Sequence, residues 1–499
     1  MSQPYYPPPS GAYSPVIGTE NSNYQPPTYE YSQGSVHSKI GEKWNPKPKY
    51  QDLWAAILFL IHFAGFVVLS YIGIKELVTN NEINNSNTNI NLDSKTILLL
   101  VASGVLGFFL SLIYMIFAQR FPKPLIKITL YLSILTYFIV AVVYAYYKQY
   151  VLAILFGIFG ILYLICAFTW RDRIPFAAIM LETVISIAKR YYGTIVMGFV
   201  GLILQVGWSV WWAVSIIGAY QYFYAKAECQ TTTQNGQSTT TCNNITPVYI
   251  VLVFMVFSFY WTSQVIKTLV HVTDSGVYAT YYFLEGTIQG VGSTPTISSL
   301  KRACTTSFGS ICFGSLIIAL INTVRVILRT LAENEEGVLG FIAACFACLL
   351  ACIEPLVEYF NRYAYVEVAI YGKSYCRAAK DTWTLIKDRG VEAIINDNLI
   401  GNVLVMGAFF IGVLCALFGF GYIKIAKPDF IDNNNIILLF VIICFLLGFM
   451  MTVVVTDAID SGVATTFVAL AEDPEALRRT KPELFERIRQ RWPRVVQGI

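Results

Sequence analysis

Ten apolar stretches, each long enough to cross a hydrocarbon layer of ~30 Å, follow one another along this chain with few charges inside them. They lie near 54–74, 96–118, 127–147, 150–170, 193–224, 248–270, 308–330, 338–360, 399–423 and 436–457. In lipid a backbone must satisfy its own hydrogen bonds, so such stretches cross as α-helices. With 56% of its 499 residues apolar and only 13% charged, the chain has too few charges to clothe soluble domains of that length. The reading is an all-α polytopic membrane protein with about ten transmembrane helices.

Basic residues are retained on the cytoplasmic side of a membrane, and this sets the direction of threading. An N-terminus inside leaves only eight of the 35 Lys and Arg residues facing out. An odd number of crossings would put the seven basic residues from Arg478 onward outside, so the count is even and both termini are cytoplasmic. The loops then placed outside, 75–95 and 225–247, hold the sequons at Asn84 and Asn244 and the pair Cys229 and Cys242. Glycans and a disulfide both belong on that side. Seven other cysteines sit in apolar runs as small packing residues. Cys345, Cys348 and Cys352 have helical spacing but no His or acidic partner, so no metal site is read there.

Three regions follow: a disordered Pro/Tyr-rich tail over 1–50, a ten-span membrane domain over 51–472, and a basic amphipathic tail over 473–499. The first tail contains Pro26-Pro27-Thr28-Tyr29, the Pro-Pro-x-Tyr form that WW domains take in an aromatic groove, with Lys39, Lys43, Lys47 and Lys49 just beyond. That arrangement suits a WW-domain ubiquitin ligase. In the second tail Thr480 and Glu483 have capping-box spacing, and Leu484, Ile488 and Trp492 share a helical face suited to the anionic leaflet. No clustered basic and aromatic face suits nucleic acid. His37, His62 and His271 are the only histidines, and no nucleophile elbow, phosphate-binding glycine loop or metal-ligand spacing accompanies them, so neither catalysis nor a cofactor is expected.

The later six spans repeat as helical hairpins, a common way to build a transporter around a central site. Basic segments at Ala188-Lys189-Arg190, Leu300-Lys301-Arg302-Ala303 and Cys376-Arg377-Ala378 each precede a pair of spans. The pairs end in related stretches: Asp274-Ser275-Gly276-Val277, Arg362-Tyr363-Ala364-Tyr365 and Asp460-Ser461-Gly462-Val463. The first four spans are therefore expected at the periphery and the last six around the pathway.

The stretch Glu358-Tyr359-Phe360-Asn361-Arg362-Tyr363-Ala364-Tyr365, continuing to Ala369-Ile370-Tyr371-Gly372, resembles the signature of the choline transporter-like family. Trp261-Thr262-Ser263-Gln264 and Asp457-Ala458-Ile459-Asp460 add further matches, and Lys47-Pro48-Lys49-Tyr50-Gln51-Asp52-Leu53-Trp54 is similar to the fungal branch, the pH-nine-sensitive proteins. The resemblance covers about 45 to 475. It implies ten spans, internal termini and a plasma-membrane location, and for animal members exchange of choline or ethanolamine against protons. A channel-like conduit, and a membrane protein that binds lipid or partners under envelope stress, are the other classes open to such a chain.

A quaternary ammonium ion donates no hydrogen bonds and is held by aromatic faces. Trp208, Trp212, Tyr260 and Trp261 are the residues expected to form such a cage. Charges at membrane depth persist only with a partner or a wet path. Glu354 and Glu358, with Asn361 on the same helical face, are read as cation or proton sites, and His271, Asp274, Asp457 and Asp460 as an inner gate. Ion pairing of Glu358 or Asp274 with Arg362 is the competing structural reading.

Overall fold

In the computed structural model, residues 49–79, 94–226, 229–234, 237–242, 245–285, 290–334, 337–426 and 434–491 are described. Four helices come first: α1 (Leu53–Thr79), α2 (Ser94–Arg120), α3 (Pro122–Tyr146) and α4 (Tyr150–Trp170). After a 3₁₀ turn comes α5 (Ile174–Arg190), then α6 (Gly193–Ala225), the hairpin β1 (Cys229–Gln234) and β2 (Gln237–Cys242), and α7 (Thr246–Leu284). The remainder is α8 (Pro295–Cys304), α9 (Phe308–Asn334), α10 (Val338–Tyr371), α11 (Tyr375–Ala426), α12 (Asn434–Glu472), α13 (Pro474–Thr480) and α14 (Pro482–Arg491). Ten of the helical segments are long and apolar enough to cross a membrane, in agreement with the ten apolar runs.

The repeat is visible as structure. Each of three units has a lead helix followed by two crossings: α5 before α6 and α7, α8 before α9 and α10, and the first part of α11 before its own span, Asp397–Ala426, and α12. The lead helices are amphipathic. Phe176, Ala177, Met180, Leu181, Val184, Ile185 and Ala188 form the buried face of α5 at helical spacing. This face packs against α12, α3, α11 and α2, while α8 packs against α7.

The second crossing of each unit runs well past its apolar stretch. Helix α7 continues to Leu284, α10 to Tyr371 and α12 to Glu472, where apolarity alone suggests ends near 270, 360 and 457. In these extensions burial extends around the whole helix: Val272 to Ala279, Tyr363 to Ile370 and Ser461 to Ala471 are buried without interruption. Protein rather than lipid surrounds them, so small and polar residues are common in them. The repeated glycines show how close the packing is. A Cβ on Gly276 would strike Ser299 of α8, and one on Gly462 would strike the ring of Tyr278. Ser299 Oγ also donates to the Thr273 carbonyl at 2.7 Å, tying α8 to α7.

Of the first four crossings α4 is the most peripheral, whereas α2 packs along α12 and α11. Helix α4 packs mainly on α3 and buries only Gly160 and Ala167. Helix α1 lies on α6, where Gly73 and Gly218 let the backbones touch and Ser70 meets Ser215 at 2.7 Å.

Three expectations are corrected. Thr480 does not cap a following helix: it ends α13, and its hydroxyl donates back to the Ala476 carbonyl at 2.9 Å. The apolar face of α14 is turned onto the bundle and not to a leaflet, with Phe485 and Ile488 buried in the main core. Cys345, Cys348 and Cys352 are exposed on the outside of α10 and do not pack inside the bundle. Their side chains are apolar enough to face lipid, which a hydropathy profile cannot distinguish from burial.

Candidate functional site

A cavity of about 730 Å³ lies among α6, α7, α9, α10 and α12. All five belong to the repeated part. Pro355 lies within α10 on the cavity wall, where its missing N–H breaks the helical ladder. Irregular backbone at membrane depth is tolerated where it borders protein or a wet cavity.

The wall carries four carboxylates, Glu358, Asp274, Asp457 and Asp460, against the two cations Lys267 and Arg362. Glu358 Oε1 accepts from Gln264 Nε2 at 3.2 Å and lies 3.6 Å from Lys267 Nζ. Arg362 donates to the Asp460 carboxylate at 2.8 Å and to its carbonyl at 2.9 Å, and its other terminal nitrogen lies 3.7 Å from Asp397 of α11. One guanidinium thus joins α10, α11 and α12. Tyr363 OH donates to the same Asp397 carboxylate at 2.5 Å.

His271 fits between these helices. Its Nε2 is 3.1 Å from the Arg362 carbonyl, which can only accept, so Nε2 carries the proton. In the neutral ring Nδ1 then accepts from Ser461, 2.8 Å away. Asp274, one turn further along α7, is buried, and its Oδ1 has no hydrogen-bond partner among the described residues. Asp457 faces the open space beside it. A buried carboxyl oxygen without a donor is costly unless a proton, a water or a ligand meets it.

Of the seven residues read as coupling or gate sites, Glu358, Asn361, His271, Asp274, Asp457 and Asp460 converge on this cavity. Asn361 is held by the Tyr375 hydroxyl on its Oδ1 and donates to the Gly314 carbonyl at 3.4 Å. Glu354 is not among the lining residues. It pairs with Arg325 across the α9–α10 contact. The pairing anticipated for Arg362 is real, but its partners are Asp460 and Asp397, not Glu358 or Asp274.

The four aromatic residues expected to form a cage are not among the lining residues. Trp208 packs on Phe66 (centroids 4.7 Å apart), and Trp212 on Phe259 (4.6 Å) while donating to the Met255 carbonyl at 2.8 Å. Trp261 is buried against Phe59 and His62 and donates to the Cys312 carbonyl at 3.1 Å; Tyr260 packs at the edge of the same cluster. These rings fill the joints between α1, α6, α7 and α9. Sequence reasoning met the cavity's own rings Tyr359 and Tyr365 and its amide Gln264 only as parts of the family signature, and passed over Gln205. Two glutamines inside apolar spans were the available signal.

A second charged cluster joins the ends of the repeats. Lys373, in the turn between α10 and α11, lies 2.7 Å from buried Glu367, 2.8 Å from Asp381 and 4.0 Å from Glu472. Burial opposes the charge on Lys373, but the Glu367 and Glu472 carboxylates outweigh it and its pKa is raised. Nearby, Asp52 at the head of α1 accepts from Ser310 Oγ at 2.7 Å and Tyr375 N at 2.6 Å.

Cys229 and Cys242 stand directly opposite each other in the antiparallel register of β1 and β2. Asn84, Asn244 and the Pro26-Pro27-Thr28-Tyr29 motif lie outside the described residues.

Comparison with known proteins decides the family. The model of a family described as plasma-membrane choline transporter matches residues 154–475, which include every residue lining the cavity. The chain belongs to the choline transporter-like family. It is 38% identical to Protein PNS1 of Mycosarcoma maydis over 92% of this chain and 86% of that protein. It is 36% identical to Protein PNS1 of Gibberella zeae over 100% and 92%, and 33% identical to Protein PNS1 of Debaryomyces hansenii over 100% and 99%. A choline transporter-like protein of this kind is a multi-pass membrane transporter with a small-molecule substrate, embedded in lipid.

Proposed function

We propose that the cavity is the transport site for a small organic cation of the choline or ethanolamine class, acting at the plasma membrane with both termini cytoplasmic. The observation that carries this reading is the charge of the wall: four carboxylates face two cations, and the most buried carboxylate, Asp274, has an oxygen unpartnered among the described residues. The volume lies in the range of small-molecule pockets, roughly 300–1,000 Å³. Tyr359 and Tyr365 supply ring faces for an alkylammonium group, while Trp208, Trp212, Tyr260 and Trp261 serve the packing around it. Asp274 and Asp457 carry the coupling proton, and Arg362, Asp460 and His271 form the inner gate. Glu354 has a structural role through Arg325.

The distribution of Lys and Arg supports the orientation. The facing register of Cys229 and Cys242 supports a disulfide, because directly opposed residues have Cα atoms ~4.5–5.5 Å apart. Glycans at Asn84 and Asn244 follow from the same orientation. The Pro-Pro-x-Tyr motif supports recruitment of a WW-domain ubiquitin ligase, and unchanged surface turnover of Tyr29→Ala would remove that part.

The decisive measurement is uptake of labelled choline and ethanolamine by proteoliposomes, with and without an imposed proton gradient. Saturable uptake with counterflow, enhanced by the gradient, is expected. Absence of uptake and counterflow for both compounds under either gradient would reject the substrate class, and a steady ionic current would reject the carrier.

A further inference from the structure

A second cavity, of about 500 Å³, lies at the turn between α2 and α3. Helix α2 ends at Arg120 and α3 begins at Pro122, so only Phe121 separates two apolar spans. The cleft is therefore at the level where the chain leaves and re-enters the apolar layer. Arg120, Lys123 and, from α14, Arg487 line it, with Glu182 of α5 as the one carboxylate and Gln490 as a further polar group. None of the three cations has an ion-pair partner among the described residues.

Arg487 is held there by the fold. Its neighbours Phe485 and Ile488 are buried on the opposite side of α14, so the helix has its apolar face on the bundle and this charge at the cleft. Arg120 gains from the negative end of α2, in whose last turn it lies. Lys127, exposed one turn beyond Lys123, adds to the same field. Exposed Phe121 supplies an apolar rim of the kind found at a headgroup boundary.

We propose that this cleft binds an anionic phospholipid whose headgroup bears a phosphomonoester, and that the bound headgroup clamps α14 to the α2–α3 turn. Three cations against one carboxylate leave a net of about +2, and Lys127 brings it to about +3, which exceeds what a singly charged headgroup neutralises and matches a phosphate of nearly two charges beside a phosphodiester. The position between two spans favours a lipid over a soluble phosphate. The proposal does not depend on which cargo the central cavity carries.

The test uses the full-length protein in detergent, titrated with short-chain phosphatidylinositol phosphate, phosphatidylserine, phosphatidylcholine and the free inositol phosphate headgroup, with the melting temperature as readout. The phosphatidylinositol phosphate should raise the midpoint saturably, phosphatidylserine more weakly and phosphatidylcholine not at all. Removing all three cations in R120Q/K123Q/R487Q should weaken the apparent Kd on the order of a hundredfold, at roughly fivefold per juxtamembrane cation. The control R377Q/K380Q/K387Q removes three exposed cations elsewhere and should stay within about threefold. Wild-type affinity in the first variant, or an equal loss in the control, would overturn the site in favour of diffuse charge attraction. Equal affinity for the free headgroup would overturn the lipid as its source.

Discussion

Glu354 and Asp274 are acidic residues placed deep in the same bundle and accommodated in opposite ways. Glu354, at the α9–α10 contact, is matched by Arg325 and does not line the cavity. Asp274 sits at the cavity, beside Asp457, with a carboxyl oxygen unmatched among the described residues. A matched charge holds helices together and is satisfied in every state that preserves the contact. An unmatched one has a use only when something arrives, which on the proposed reading makes the cavity the working region and the α9–α10 contact a strut.

The contrast breaks most visibly if one side of the strut is removed. Arg325→Leu leaves the partly buried Glu354 without its partner and should cost about 1–3 kcal/mol of resistance to unfolding, with most of it regained in the Arg325→Leu/Glu354→Leu double variant. Differential denaturation of the purified protein measures both. Asp274→Asn should do the reverse, leaving unfolding nearly unchanged while proton-driven uptake falls on the order of a hundredfold, the scale lost with a group that handles a proton. Glu354→Gln should keep transport per folded molecule within about twofold, since its charge is structural. A collapse of coupling in that variant would erase the distinction.

Smaller effects sharpen it. Tyr359→Leu, on the cavity wall, should reduce discrimination between choline and ethanolamine by roughly tenfold, whereas Trp261→Phe should leave discrimination alone and cost about 1 kcal/mol of stability through the lost bond to the Cys312 carbonyl. Competition uptake assays separate the two. The smallest effect concerns pH. The pKa of Lys373 is raised from 10.5 in the folded protein, so its contribution to stability is complete below that value and lost as pH climbs through the higher folded value. A melting temperature that drops more steeply above pH 10.5 in wild type than in Lys373→Gln is the expected sign.

The repeated Asp-Ser-Gly-Val stretches mark how far sequence reading reached. Their recurrence identified the ends of α7 and α12 as related, but hydropathy stopped these spans 14 and 15 residues early. A hydropathy profile measures compatibility with lipid, and these ends are enclosed by protein. The same limit explains the aromatic residues. Tryptophan chemistry permits both a cation cage and a packed joint, and only the neighbours Phe66, Phe59 and the carbonyls of Met255 and Cys312 select the joint.

The sequence alone determined the ten crossings, and six of the seven residues it marked as coupling or gate sites meet at the cavity. Long apolar runs admit one solution in lipid, and a charge within them persists only for a reason. Tertiary structure alone decided which charges are spent on each other: Arg325 on Glu354, and Arg362 on Asp460 and Asp397. It also turned the apolar face of α14 inward and left Arg487 beside Arg120 and Lys123. Partners that lie tens to hundreds of residues apart are chosen by how helices pack, and neither periodicity nor local composition carries that information.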